Sequence, residues 1–385
     1  MNIEILGKFY DNHSLSMINR QLATRLSEKS VNVKIIALDS YDPKFKLKKQ
    51  TVKTLKALES IELEADIQVR HTYPPIWDWP EKDNTKVVYI QPWEFSKAPF
   101  EWQYKFETFA DALIVPSNFC ASVFKKGGIN PSKIHTVPNG YDDSIFNQED
   151  SAEDISSLGV DKNNFNFVYV GNAQWRKGLD ILLNAWHKSF KSFDKAKLII
   201  KDNPGIYGRN NILNDIIRLQ YSTGCAEITY IDEDLSDTQM AAIFKSSKVL
   251  VHPYRAEGFG MHVQEATACG CIPVVSANGP TDDFLATQDI GIRLPTTSKA
   301  ININDPSVFA TKPGDAMTLM SSYSFIEEPS EEHLIKSMIH LYHSHNKKEL
   351  QEKVDNAILN KWDSVIESYI DIFKTINANS CIRRL

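Results

Sequence analysis

Residues 249–283, VLVHPYRAEGFGMHVQEATACGCIPVVSANGPTDD, set two glutamates, Glu257 and Glu265, around a glycine-flanked turn. The run Lys248 to His252 reads as a buried strand, residues 253–258 as a loop, Gly260 to Cys269 as a short helix, and Ile272 to Val275 as the next parallel strand. A strand, a glycine loop and a helix in that order leave the first backbone N–H groups of the helix without intrahelical acceptors, where the helix dipole also favours negative charge. The element is therefore an anion site. Glu257 precedes the helix and Glu265 lies about a turn and a half inside it, so both carboxylates flank whatever the N–H groups hold. Carboxylates beside a phosphate repel it unless each accepts hydrogen bonds from hydroxyls. A sugar on one side of a diphosphate and a ribose on the other supply those hydroxyls.

The block EGFGMHVQEATACGCIPVV (257–275) resembles the E-x7-E signature of glycosyltransferase family 4, the retaining nucleotide-sugar transferases of GT-B fold. VPSNFCASVF (115–124), VPNGYDDSIF (137–146) and VYVGNAQWRKGLDILLNAW (168–186) fall in the family's order. The resemblance implies an α/β chain of two doubly wound, Rossmann-like domains facing each other across a cleft, with a C-terminal helix returning to the first. It also implies that Glu257 meets hydroxyls of the donor sugar and Glu265 those of the ribose. Retention in this family implies front-face displacement, with a phosphate oxygen taking the acceptor's proton. Two other readings stay open: a sugar-nucleotide epimerase of the same architecture, and a non-catalytic nucleotide-sugar binding module.

Length and composition agree with this picture. At 385 residues the chain is too long for one core. A net charge of −6 argues against nucleic acid as a partner. No apolar run approaches the roughly 20 residues that span a bilayer, and MNIEILGKF at the start reads as a strand, so a cytoplasmic protein is expected. Five scattered cysteines are odd in number and make no disulfide framework; Cys269 and Cys271 read as small buried residues rather than metal ligands.

Strand and helix patterns alternate along both halves, as parallel sheets covered by helices require. Residues 1–150 form the expected acceptor-side domain, 151–164 a polar linker, 165–355 the donor-binding domain, and 356–385 the returning helix, with Trp362, Ile366, Tyr369 and Phe373 as its apolar stripe. Ser14 or Ser16 is the expected cap of a helix over Ser14 to Glu28. Residues 286–328 lack periodicity and fit either an active-site flap or a surface loop.

The donor side gathers Gly171, Asn172, Asp202, Gly258, Phe259, Gly260, Met261 and Glu265. In GNAQWRKG (171–178) the guanidinium of Arg176 can bind two phosphate oxygens at once, and the Lys177 ammonium acts as a point charge. The family's arginine directly after the first glycine is replaced here by Asn172, which leaves Arg176 to supply the guanidinium. Arg176, Lys177 and the N–H groups near Gly260 and Met261 can stabilise a leaving diphosphate without metal, so no cofactor and no essential metal ion are expected. Arg176, Lys177 and Glu257 are thus the catalytic candidates. On the acceptor side stand Gly7, His13, His71, Trp93 and Glu94, all at strand ends or turns; Trp93 reads either as a ring stacked on a sugar or as a core aromatic. The expected partners are a nucleotide-sugar donor and a hydroxyl acceptor. Residues 43–58, PKFKLKKQTVKTLKAL, carry six lysines between apolar residues and fit either a peripheral contact with anionic membrane or a solvated helix face.

Overall fold

A computed structural model describes residues 1–151, 153–204, 212–302, 323–344 and 347–378. The chain divides into two compact units: Met1–Trp93, Lys97–Gly140 and Asn360–Leu385 make the first, and Glu94–Ser96 with Tyr141–Leu359 the second. Each is built on a six-stranded parallel sheet.

In the first unit the strands are β1 (Asn2–Gly7), β2 (Asn32–Ala37), β3 (Ile67–His71), β4 (Lys86–Ile90), β5 (Ala112–Val115) and β6 (Ile134–Thr136), in the order β2-β1-β3-β4-β5-β6. β3, β4 and β5 are buried along their whole length, as strands covered by helices on both faces must be. The helix Ser14–Ser27 packs Ile18, Leu22 and Leu26 inward. Its cap is His13, whose Nδ1 accepts from the Leu15 N–H at 3.2 Å, and not Ser14 or Ser16. The terminal helix Trp362–Ala378 belongs to this unit and buries Trp362, Ile366, Tyr369 and Phe373.

The second unit holds β7 (Phe165–Val170), β8 (Ala196–Lys201), β9 (Ile228–Ile231), β10 (Val249–His252), β11 (Ile272–Ser276) and β12 (Ile292–Leu294), ordered β12-β11-β10-β7-β8-β9. This order reverses between β7 and β10, and ligands of doubly wound sheets bind outside the strand carboxyl ends at such a switch point. The unit begins at Tyr141, earlier than the polar composition of 151–164 implies. Tyr141, Phe146, Ile155 and Val160 are buried in its core, so the expected linker is part of that core. The tract that lacked periodicity contributes β12 and an antiparallel hairpin, β13 (Thr296–Asn302) against β14 (Tyr323–Pro329). The remainder of that tract, 303–322, lies outside the described residues.

Candidate functional site

β7 and β10 are hydrogen-bonded neighbours, and the loops that leave their carboxyl ends close on each other. After β7 comes a 3-10 turn, Trp175–Lys177, then Gly178 and the helix Leu179–Ser189. Gly178 sits at φ +73°, and a β-carbon there would fall 1.9 Å from the Pro253 carbonyl oxygen. Only glycine allows this approach. The N–H groups of Arg255 and Ala256 both donate to the Arg176 carbonyl, at 2.7 and 3.2 Å. The two loops are thereby one framework.

On this framework the Lys177 ammonium donates to Glu257 Oε2; their side chains are only 12% and 10% exposed. The Gly258 N–H donates to the other oxygen, Oε1, at 2.9 Å, and His252 Nε2 lies 3.4 Å from Oε2. Burial alone would raise the Glu257 carboxyl, but Lys177, His252 and Arg176 outweigh it and hold the group well below the usual carboxylate range. Burial lowers the Lys177 pKa against the pull of Glu257. His252 is pushed down to about 4 by burial, with nearby Lys177 and Arg176 acting in the same sense, and is neutral. His262, on the following helix, meets the His252 ring edge-on at 4.2 Å, and burial drives its pKa well down too.

That helix runs Met261–Ala268 from Gly260, at φ +91°, with no side-chain cap. Its first N–H groups therefore keep the anion-binding character that a capping side chain would remove. Glu265 lies inside it, partly exposed, with its pKa pushed up to about 8 by burial and by Asp237. Arg176 reaches Glu94 at 3.0 Å and the Ala256 carbonyl at 3.3 Å. Asp202, at the carboxyl end of β8, is buried and held by the Tyr230 hydroxyl at 2.8 Å and the Asn203 N–H at 2.6 Å.

Two family models match the chain. "Glycosyl transferases group 1" covers residues 150–304 and "Glycosyltransferase Family 4" residues 63–145, together more than half of it. The matches are those of a family-4-type glycosyltransferase. It is 30% identical over 193 residues to the D-inositol 3-phosphate glycosyltransferase of Mycobacterium tuberculosis strain H37Ra, a match of 47% of this chain and 39% of that protein. It is 30% identical over 153 residues to D-inositol 3-phosphate glycosyltransferase 1 of Catenulispora acidiphila, 39% of this chain and 36% of the relative. The matches thus span less than half the length of these curated relatives. Among solved structures, Anabaena HepE in complex with UDP-glucose superimposes with a TM-score of 0.66 at 14% identity, over 97% of this chain and 100% of that one. Sucrose-phosphate synthase from Thermosynechococcus elongatus gives 0.67 at 14% identity, over 99% and 100%. At such identity these likenesses show the fold, which is GT-B.

The family-4 donor residues read from the sequence, Gly171, Asn172, Arg176, Lys177, Glu257, Gly258, Phe259, Gly260, Met261 and Glu265, all lie on the loops after β7 and β10 or on the helix that follows. Arg255, which in sequence is only part of the loop 253–258, fills every N–H of its guanidinium inside the protein. The first-unit candidates fare differently. Gly7 ends β1, and a β-carbon there would lie 2.4 Å from Asn19 Nδ2 and 2.8 Å from the His71 carbonyl, so it is demanded by packing. His13 is occupied as a helix cap. His71 is buried, with Nδ1 2.7 Å from Asn19 Oδ1 and Nε2 without a hydrogen-bond partner among the described residues, and the residue lines a small cavity with Ile90, Val137 and Tyr369.

Trp93 is wholly buried, donates through Nε1 to the Lys97 carbonyl at 2.7 Å and meets Trp102 edge-on at 5.0 Å. Of its two readings, the core aromatic is the one realised, because the ring is wholly buried and its indole N–H already donates to the backbone. Glu94 and the two residues after it cluster with the second unit, where Glu94 faces Arg176 instead of standing free for an acceptor. His252 and His262 escaped the sequence reading because a histidine at a strand end or in a first helical turn carries no sign of which side it faces.

Proposed function

We propose that this chain is a retaining glycosyltransferase that moves a hexose-type sugar from a nucleoside-diphosphate sugar to an acceptor hydroxyl, with no essential metal ion. The observation that carries this reading is the buried Lys177–Glu257 pair beside an uncapped helix N-terminus at the switch point of a doubly wound sheet. In this reading the N–H groups near Gly260 and Met261 hold the diphosphate together with Lys177 and Arg176. Glu257 accepts from donor-sugar hydroxyls and Glu265 from the ribose. Preorganised donors of this kind cost no reorganisation as charge develops on the leaving group. The UDP-glucose bound by HepE supports a nucleotide-sugar donor, and the D-inositol 3-phosphate glycosyltransferases support a hydroxyl acceptor.

Thermal-shift titration with UDP, ADP, GDP and their glucose forms, followed by transfer and hydrolysis assays in excess EDTA, tests the proposal. Stabilisation by one nucleotide and turnover undiminished by the chelator are expected. Activity restored only by magnesium or manganese would overturn metal independence; tight binding without transfer would mark a binding module, and release of an epimerised sugar an epimerase. For residues 43–58, the exposure of all six lysines and the burial of Leu55 and Leu58 support the solvated face over insertion. Co-sedimentation with anionic vesicles at low salt should leave the protein in solution, and pelleting that salt reverses would establish peripheral contact. No helix among the described residues is long and apolar enough to cross a membrane.

A further inference from the structure

Arg255 lies two residues before Glu257 and is 6% exposed. A guanidinium has five N–H donors in a fixed fork. Here all five have acceptors. Nη1 and Nη2 grip the Asp180 carboxylate at 2.7 and 2.8 Å. Nε and Nη2 grip Glu328 at 2.9 and 3.1 Å, and Nη1 donates to the Trp175 carbonyl at 2.7 Å. The fork also lies 4.3 Å from the centre of the Trp175 ring. Its backbone is equally engaged: the N–H donates to the Arg176 carbonyl, and the carbonyl accepts from the Glu327 N–H at 3.0 Å.

One residue thus ties together four pieces of the second unit: the turn Trp175–Lys177, the first turn of the helix Leu179–Ser189, the Glu257 loop and strand β14. We propose that Arg255 is a positioning residue, which sets the two cations Arg176 and Lys177 against Glu257 and makes the β13–β14 hairpin part of the donor site's support. It does not touch the donor, since no N–H is left to offer a phosphate. This inference rests on the donor-site reading given above. Its physical basis is that the buried guanidinium, gripped by one half-exposed and one partly exposed carboxylate, contributes fixed fork geometry more than net stability, because its own desolvation offsets much of the attraction. A displacement of about 1 Å at reacting groups can cost on the order of a hundred-fold in rate.

The test compares the full-length wild type with Arg255→Lys and with the triple variant Arg255→Met, Asp180→Asn, Glu328→Gln. The triple variant removes the charges together and leaves no carboxylate stranded. Melting temperature, binding of UDP, ADP and GDP by calorimetry, and kcat and KM with the corresponding glucose nucleotides are read on each. The triple variant is expected to fold cooperatively, yet to lose about a hundred-fold in kcat/KM, with kcat falling even at saturating donor. Arg255→Lys, which keeps the charge and loses the fork, should fall with it and not be rescued. If the triple variant fails to fold, Arg255→Lys alone decides by the same kinetic split. A folded Arg255→Lys within about two-fold of wild-type kcat and KM overturns the positioning role while the donor reading stands. A wild type that binds none of the three nucleotides overturns the donor reading and this proposal with it.

Discussion

Glu257 has both carboxylate oxygens engaged, Oε1 by the Gly258 N–H and Oε2 by Lys177 and His252, before any ligand arrives. Glu265 is different: it is partly exposed and held up to about 8, and the proposed reading gives it the hydroxyls of the ribose. Glu265→Ala should therefore weaken nucleotide binding, and Glu257→Ala should chiefly lower turnover; steady-state kinetics and calorimetry separate the two, and wild-type constants in both variants would remove the site assignment. The same groups shape stability against pH. His252 near 4 and His71 near 3 lie below the ordinary histidine value of 6.5, so the unfolded chain binds protons that the folded chain refuses, and the stability they contribute is lost as pH falls below about 6.5. Glu265, raised from 4.5 to about 8, acts the other way, its contribution being lost as pH rises through about 8. Melting curves from pH 4 to 9 should show His252→Asn flattening the acid side and Glu265→Gln the alkaline side. Parallel curves for wild type and both variants would contradict these protonation states. Glu257, Glu265, Arg176 and Lys177 are legible in the sequence because their setting is local, a glycine turn and the helix it opens. Arg255, His252 and Trp93 are not, because their partners are 75, 5 and 9 residues away on other elements or across a loop.

Elements divide in the same manner. The strands of both sheets are legible as apolar runs except β12, three residues long inside the aperiodic tract; the central ones are clearest, since a parallel strand buried on both faces has no polar alternation to confuse it. Hairpin β13–β14 is not, since its burial is patchy and its Arg255 contact is remote in sequence. His13 as a cap escapes ordinary preference, which favours serine; Ser16 instead bonds Asp11. Gly178 joins the 3-10 turn to the helix Leu179–Ser189 and is the most demanding glycine of the site. Gly178→Ala should cost about 1–3 kcal/mol from backbone strain alone, with a further penalty from the approach to Pro253. Because the two loops are tied by the hydrogen bonds to the Arg176 carbonyl, nucleotide binding should weaken alongside the melting temperature. A variant as stable as wild type would show that the loops do not meet as described.

At the scale of the whole chain, the two-unit α/β class was readable from alternation, whereas strand order was not. Periodicity says that a strand is buried but not which neighbour it takes, so the switch point between β7 and β10 emerges only in the structure. The division at Gly140 likewise escaped, because Tyr141, Phe146, Ile155 and Val160 are spaced too widely among polar residues to read as core.

The central claim is that this site transfers a sugar with retention. Double inversion needs a free carboxylate beneath the anomeric carbon. Glu257 is committed to Lys177 and the Gly258 N–H, and Glu265 is assigned to the ribose. In the proposed reading, the front-face displacement that the family resemblance implies would place the demand on Arg176 and Lys177, which would stabilise the departing diphosphate while a phosphate oxygen takes the acceptor's proton. Proton NMR of the first product, recorded before anomers equilibrate, reads the outcome directly. The account predicts a product with the donor's own anomeric configuration; an inverted linkage would contradict it.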